Sequence, residues 1–277
     1  MNEMPITSTN SSSGEGIRTV RRSLGDVLAS LDHAAAISSS LIANREATFE
    51  HEGERYELPR YLFIGPNGGD EPIRVGLFAG LHGDEPEGVY ALITLLRVLE
   101  RAPEIAEGYC LFVYPVCNPT GFEDGSRNSR NGKDLNREFW RGSSEPEVRL
   151  LESELVAHSF HGLISLHTDN TSHGFYGYAH GHTLTKNLVE PALRAAEEYL
   201  PRNHNVQIDG FRARKGIIRD SFDGILRAPP KIQPRPFEII LETPHEAPAS
   251  LKEAAFVAAL QTILVRYREF MAYAPNL

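Results

Sequence analysis

An α/β fold, with a mixed, largely parallel sheet and helices on both faces, is what this 277-residue sequence predicts. Two observations carry the expectation. Short, unbroken apolar runs such as "GLISLH" (162–167) and "FEIILE" (237–242) suit strands buried on both faces. Stretches with apolar residues at helical spacing alternate with them, and that alternation is the pattern of a layered α/β architecture.

The elements follow in order. Residues 1–16, rich in Ser, Thr, Asn and Gly, read as a disordered leader, and residues 17–277 as one domain. Residues 21–43 read as an amphipathic helix with Leu24, Val27, Leu28 and Leu31 on one side. "ERYELPRYLFIG" and "IRVGLFAG" flank the turn-forming "PNGGDEP" and read as two paired strands. "YCLFVYPV" (109–116) is a further strand. Cys110 and Cys117 would share it, seven residues apart on opposite faces. That is about 23 Å, too far for a disulfide.

Three helices stand between or after these strands. Residues 86–101 place Val89, Leu92, Ile93, Leu96 and Leu99 on one stripe. Ser144 and Glu147 form a capping box ahead of Val148, Leu151, Leu155 and Val156. Ser250 and Glu253 open a C-terminal helix carrying Phe256, Leu260, Ile263 and Leu264.

Composition narrows the function classes. A net charge of −9 argues against nucleic acid and anionic membrane as partners. The first 20 residues lack the apolar core of a secretory signal. No run approaches the roughly 18 apolar residues of a membrane span. A cytoplasmic, reduced setting is the expectation.

In open α/β sheets ligands gather beyond the carboxyl ends of the strands. Three strand ends here carry chemistry: His82 and Glu85 after "IRVGLFAG", His167 and Asp169 after "LISL", and Glu242 after "EIIL". His82 and Glu85 stand three apart on a turn entering a helix, so both can converge on one point. A catalytic zinc takes three protein ligands and keeps one position open, and His167 is the best-placed third ligand. A charged turn remains the plain reading of "HGDE" by itself.

Together, "HGDE", "NPTG", "DLNRE", "SLHTD" and "ETP", in this order, resemble the zinc carboxypeptidase family with its carboxypeptidase A-like fold. "SRNSRNGKDLNREF" is most similar to the murein tripeptide amidase branch, and the succinylglutamate desuccinylase/aspartoacylase branch is related. The resemblance implies one Zn2+ per chain, held by His82, Glu85 and His167. It implies Glu242 as the catalytic carboxylate and Arg127 as the cation facing the scissile carbonyl, with Arg130 a nearby competitor. Asn136 and Arg137 match the pair that grips a substrate carboxylate, which an arginine fork binds bidentately. Asp134 fits a supporting role on the free ring nitrogen of His82.

The activity so implied is hydrolysis of an amide bond beside a free carboxylate, releasing a C-terminal residue from a short peptide. The alternatives are an N-acyl amino acid deacylase and an inactive binding module on the same fold. Deacylase relatives carry a β-rich domain after the catalytic glutamate, whereas here 35 residues follow Glu242 and read as one helix. "TSHGFYGYAHGH" reads as a Gly-rich, substrate-facing loop in which Tyr176 or Tyr178 supplies a phenol. A second metal site of His173, His180 and His182 is a further reading. The basic run "FRARKGIIR" (211–219) either receives an anionic substrate group on Arg212, Arg214 or Lys215, or is a solvated edge strand.

Overall fold

The computed structural model describes residues 21–181 and 185–273. The predicted leader and His182 lie outside them. The chain begins with α1 (Leu24–Ile37), then β1 (Leu41–Asn44), β2 (Thr48–His51), β3 (Glu54–Glu57), β4 (Arg60–Ile64) and β5 (Ile73–Phe78). Next come α2 (Pro86–Arg101), β6 (Tyr109–Tyr114), α3 (Pro119–Asp124), α4 (Pro146–Ala157) and β7 (Gly162–Asp169). The rest is β8 (Tyr176–Gly181), α5 (Thr185–Ala196), β9 (Gln207–Ile208), β10 (Phe211–Arg214), β11 (Ile217–Ile218), β12 (Phe237–Pro244) and α6 (Ala249–Tyr273).

Ten strands form one mixed sheet in the order β1-β4-β6-β5-β7-β12-β8-β11-β10-β9, and β2 pairs with β3 apart from it. The centre, β6-β5-β7-β12, is parallel throughout. Its four carboxyl ends therefore open on one edge of the sheet. Side chains of α1, α2, α5 and α6 form the core on one face. On the other face Val148, Leu151 and Leu155 of α4 pack with Phe78, Phe112 and Tyr114. The predicted fold class holds, with helices on both faces.

Several local expectations are corrected. The first helix stops at Ile37, because Ser38 Oγ accepts the N–H groups of Ser40 and Leu41 and turns the chain into β1. "RYLFI" and "IRVGLF" are not partners: β6 lies between them, antiparallel to β4 and parallel to β5. Cys117 lies beyond the end of β6, in the same core as Cys110, and both thiols are free. The two therefore do not sit on opposite faces of one strand, and no bond joins them. "YGYAHG" is not a loop but β8, hydrogen-bonded between β12 and β11.

Ser144 does not cap α4. Pro146 takes the first helical position, which makes Glu145 the N-cap and leaves Val156 59% exposed. Glu147 is thereby buried in the first turn. One of its oxygens accepts from Thr120 Oγ1 (3.3 Å), and the other has no partner among the described residues. Burial, with the Glu145 carboxylate adding to it, pushes the Glu147 carboxyl up to about 7. The folded chain thus keeps a proton that the unfolded chain releases near its ordinary value of 4.5. The resulting stability is full below about 4.5 and is lost as pH rises through 7. Glu147→Gln is expected to stabilise the protein at pH 8, by at most about 3 kcal/mol. Thermal denaturation at pH 8 and pH 5 checks this, with a much smaller gain expected at pH 5.

Candidate metal and catalytic site

The turn after β5 brings His82 and Glu85 to the edge where β7 and β12 end. Two glycines permit it. A Cβ on Gly83 would lie 2.0 Å from the backbone of Gly121, so the "HGDE" turn and the "NPTG" segment touch backbone to backbone. Glu85 occupies the N-cap position of α2 and makes no capping bond there. Its carboxylate goes to the site instead, where Oε2 accepts the N–H of Thr168 (3.0 Å).

His82, Glu85 and His167 are all buried, and their ligand atoms lie within 4.8 Å of one another. His82 Nδ1 is 2.7 Å from Glu85 Oε1 and 3.3 Å from His167 Nδ1, which is 3.2 Å from Glu85 Oε2. Ligands around a tetrahedral ion with bonds of about 2.1 Å stand roughly 3.4 Å apart, so this donor set fits one small cation. The chemistry agrees, since two facing imidazoles and a carboxylate all offer lone pairs to one point. Burial pushes the His82 pKa down, but Glu85 and Asp134 outweigh it and carry it up to about 9. Burial opposes ionisation of Glu85 too, yet His82 and His167 hold it down at about 2. The pocket is built for positive charge.

Asp134 stands at the other ring nitrogen of His82 (Oδ1 to Nε2, 3.1 Å). Its Oδ1 also accepts the N–H of Asn136, and its Oδ2 accepts from Arg127 (3.1 Å). Arg127 reaches Glu85 Oε1 at 3.4 Å and lines the cavity. Its competitor Arg130 is engaged elsewhere, with Asp124, Glu123, Glu54 and Tyr56. Asn136 Oδ1 accepts the N–H of Leu226 (2.9 Å), and the residue lines the cavity. Arg137 also lines it, its guanidinium 4.4 Å from the centroid of the Phe222 ring.

β12 runs between β7 and β8, placing Glu242 beside His167 on one flank and Tyr176 on the other. Burial, together with the carboxylates of Glu85, Asp169 and Asp209, raises the Glu242 pKa well above its ordinary value. Tyr176 and Tyr178 both line the cavity and donate to Asp169 Oδ2 (2.9 Å) and Asp209 Oδ2 (2.6 Å). The cavity of about 360 Å³ thus gathers every predicted site residue except Asp134, which stands behind His82.

Arg212, Arg214 and Lys215 stay exposed on the edge hairpin and do not reach the cavity. His82, Glu85 and His167 form the one candidate metal cluster among the described residues, so His173 and His180 assemble no second one there. Sequence reasoning missed Asp209, Ser221, Phe222, Ile225 and His245 as lining residues. Only the turn-forming "DG" at Asp209, whose φ is +49°, stood out locally.

A model of the succinylglutamate desuccinylase/aspartoacylase catalytic domain matches residues 72–212, half of the chain. The chain belongs to this family. The span matched to the succinylglutamate desuccinylase/aspartoacylase domain holds the three cluster residues and Asp134, and ends before Glu242. Among curated proteins none matches the chain in sequence. Solved structures share the fold. A candidate metallopeptidase of Shewanella denitrificans OS217 is 24% identical, with a TM-score of 0.71 over 87% of this chain and 88% of that one. A metallo-carboxypeptidase from Burkholderia cenocepacia is 16% identical (TM-score 0.64, 87% and 68% covered). A metallo-carboxypeptidase from Pseudomonas aeruginosa, in complex with (2-guanidinoethylmercapto)succinic acid, is 18% identical (TM-score 0.62, 87% and 68% covered). No described helix is long and apolar enough to cross a membrane.

Proposed function

We propose that this protein is a zinc-dependent hydrolase that cleaves an amide bond next to a free carboxylate, releasing the C-terminal residue of a short peptide. One observation carries the reading: the buried His82–Glu85–His167 cluster opens on the same cavity as Glu242, Arg127 and Arg137. Zinc held by His82, Glu85 and His167 supplies Lewis acidity and makes water nucleophilic near neutral pH.

The chain's own groups do the rest. Glu242 takes the proton of the attacking water and hands it to the leaving amine. Arg127 offers its guanidinium to the oxyanion that develops on the scissile carbonyl. Arg137 and the amide of Asn136 hold the substrate's terminal carboxylate, which sets the distance from that anchor to the reacting bond. A neighbour of the same fold was solved with a substituted succinic acid, in keeping with a small carboxylate ligand.

The family favours a second reading, deacylation of an N-acyl amino acid. Assays on dipeptides, tripeptides and N-acyl amino acids separate the two. Turnover of acyl amino acids without peptide turnover selects the deacylase. Failure of the protein to take up zinc, with no hydrolysis of either class, removes both and leaves a binding module. Asp134→Ala is expected to weaken zinc binding about 10- to 100-fold by releasing His82, as read by competition with a chromophoric chelator.

A further inference from the structure

Along the antiparallel β8–β12 pair, Tyr176 faces Glu242, Tyr178 faces Ile240, and His180 faces Glu238. Alternate residues share a face, so one surface runs from the catalytic carboxylate to His180 and Glu238, about 13 Å away. A second cavity of about 360 Å³ opens there. Buried Ile225 and Ile240 separate it from the first, and Ser221 borders both.

Four cations line this second cavity, Lys186, Arg219, Arg227 and Arg235, against the single carboxylate of Glu238. They gather in a chain whose net charge is −9. Glu238 is already engaged: Oε1 accepts the N–H of Ala228 (2.8 Å), and Oε2 stands 3.5 Å from Arg235. Lys186 and Arg219 form no ion pair among the described residues. Arg227 donates to Ser221 Oγ (2.7 Å), but its Nε is buried without a partner among the described residues, as is His180 Nε2. Burial first, then Arg227 and Arg235, lowers the His180 pKa to about 4, against the opposing pull of a backbone bond to Arg219 and the Asp220 carboxylate. Like charges so grouped repel one another, and buried polar atoms left unpaired are costly. A bound anion relieves both.

We propose that this second cavity binds a small oxyanion, a carboxylate or phosphate group, held by Arg219, Arg227 and Arg235. Guanidinium forks suit either group bidentately. The site also bears on the first cavity. Its segment 219–227 carries Phe222, which packs on Arg137, and Leu226, whose N–H fixes Asn136. Occupancy would steady the groups that face a substrate carboxylate, while binding itself does not depend on the reaction proposed above.

The test is calorimetric titration of the full chain with inorganic phosphate and, separately, with succinate, at constant ionic strength set by sodium chloride. Three proteins are compared: wild type, Arg219→Ala/Arg235→Ala, and Arg137→Ala as the control for the catalytic cavity. The expected result is binding of at least one anion that survives Arg137→Ala and weakens tenfold or more in the double variant. Which anion binds tells a phosphate site from a carboxylate site. No binding of either anion overturns the proposal, as does binding lost in Arg137→Ala but kept in the double variant. Should the double variant fail to fold, the single variant Arg219→Ala removes one of the three proposed anion-holding groups at an exposed position and is read in the same way.

Discussion

Replacing Glu242 with glutamine is expected to lower kcat by about 10²- to 10⁴-fold, the usual worth of a positioned general base. Zinc content should stay at the wild-type level, because Glu242 is not among the three clustered ligands. The fold should not suffer either. Glu242 is half-buried, and burial with the carboxylates of Glu85, Asp169 and Asp209 opposes its ionisation, so an uncharged amide of the same shape is well tolerated there. A melting temperature equal to or above wild type, with activity nearly gone, is the combined signature. Undiminished turnover by the variant would remove Glu242 from the reaction.

The second large effect is expected from Arg127→Ala, and its form matters as much as its size. A group that meets only the developing oxyanion lowers kcat, here by about 10²- to 10³-fold, and leaves KM nearly unchanged. Arg137→Ala should behave in the opposite way. Loss of a charged hydrogen bond to a ground-state carboxylate costs about 1.5–3 kcal/mol and raises KM about 10- to 100-fold. Arg127 also pairs with Glu85 and Asp134, so zinc content must be measured alongside the kinetics. Steady-state kinetics on one substrate for both variants decides the assignment. A KM effect in both would make Arg127 a second carboxylate anchor.

What the sequence revealed of this site follows from where its parts lie. His82, Glu85, His167 and Glu242 sit at or beyond the carboxyl ends of apolar strands, a position that periodicity alone marks. The parallel centre of the sheet then brings those ends together. Pairing order is non-local, and no local pattern tells that β6 inserts between β4 and β5. The far wall of the cavity was equally hidden. Asp209, Ser221, Phe222 and Ile225 come from a stretch with little regular structure, placed by contacts such as Leu226 with Asn136 rather than by any repeat. In "YGYAHG" the glycines outweighed the alternation of aromatic residues that makes it a strand. Gly177 is in fact a close-packed position, where a Cβ would come 2.9 Å from the Ile240 carbonyl oxygen.

Glu85 bears a lasting cost. It stands where a helix favours Ser, Thr, Asn or Asp, and each of those is worth about 1 kcal/mol over a residue that does not cap. The chain forgoes that cap, and the carboxylate instead meets His82, His167 and the N–H of Thr168. A capping residue there would gain the helix bond but strip the buried Thr168 N–H and both imidazoles of their partner, so the change is not a net stabilisation. Position 85 should therefore drift to a capping residue in related chains only after His82 and His167 are replaced, because those two help to hold its carboxylate in the site.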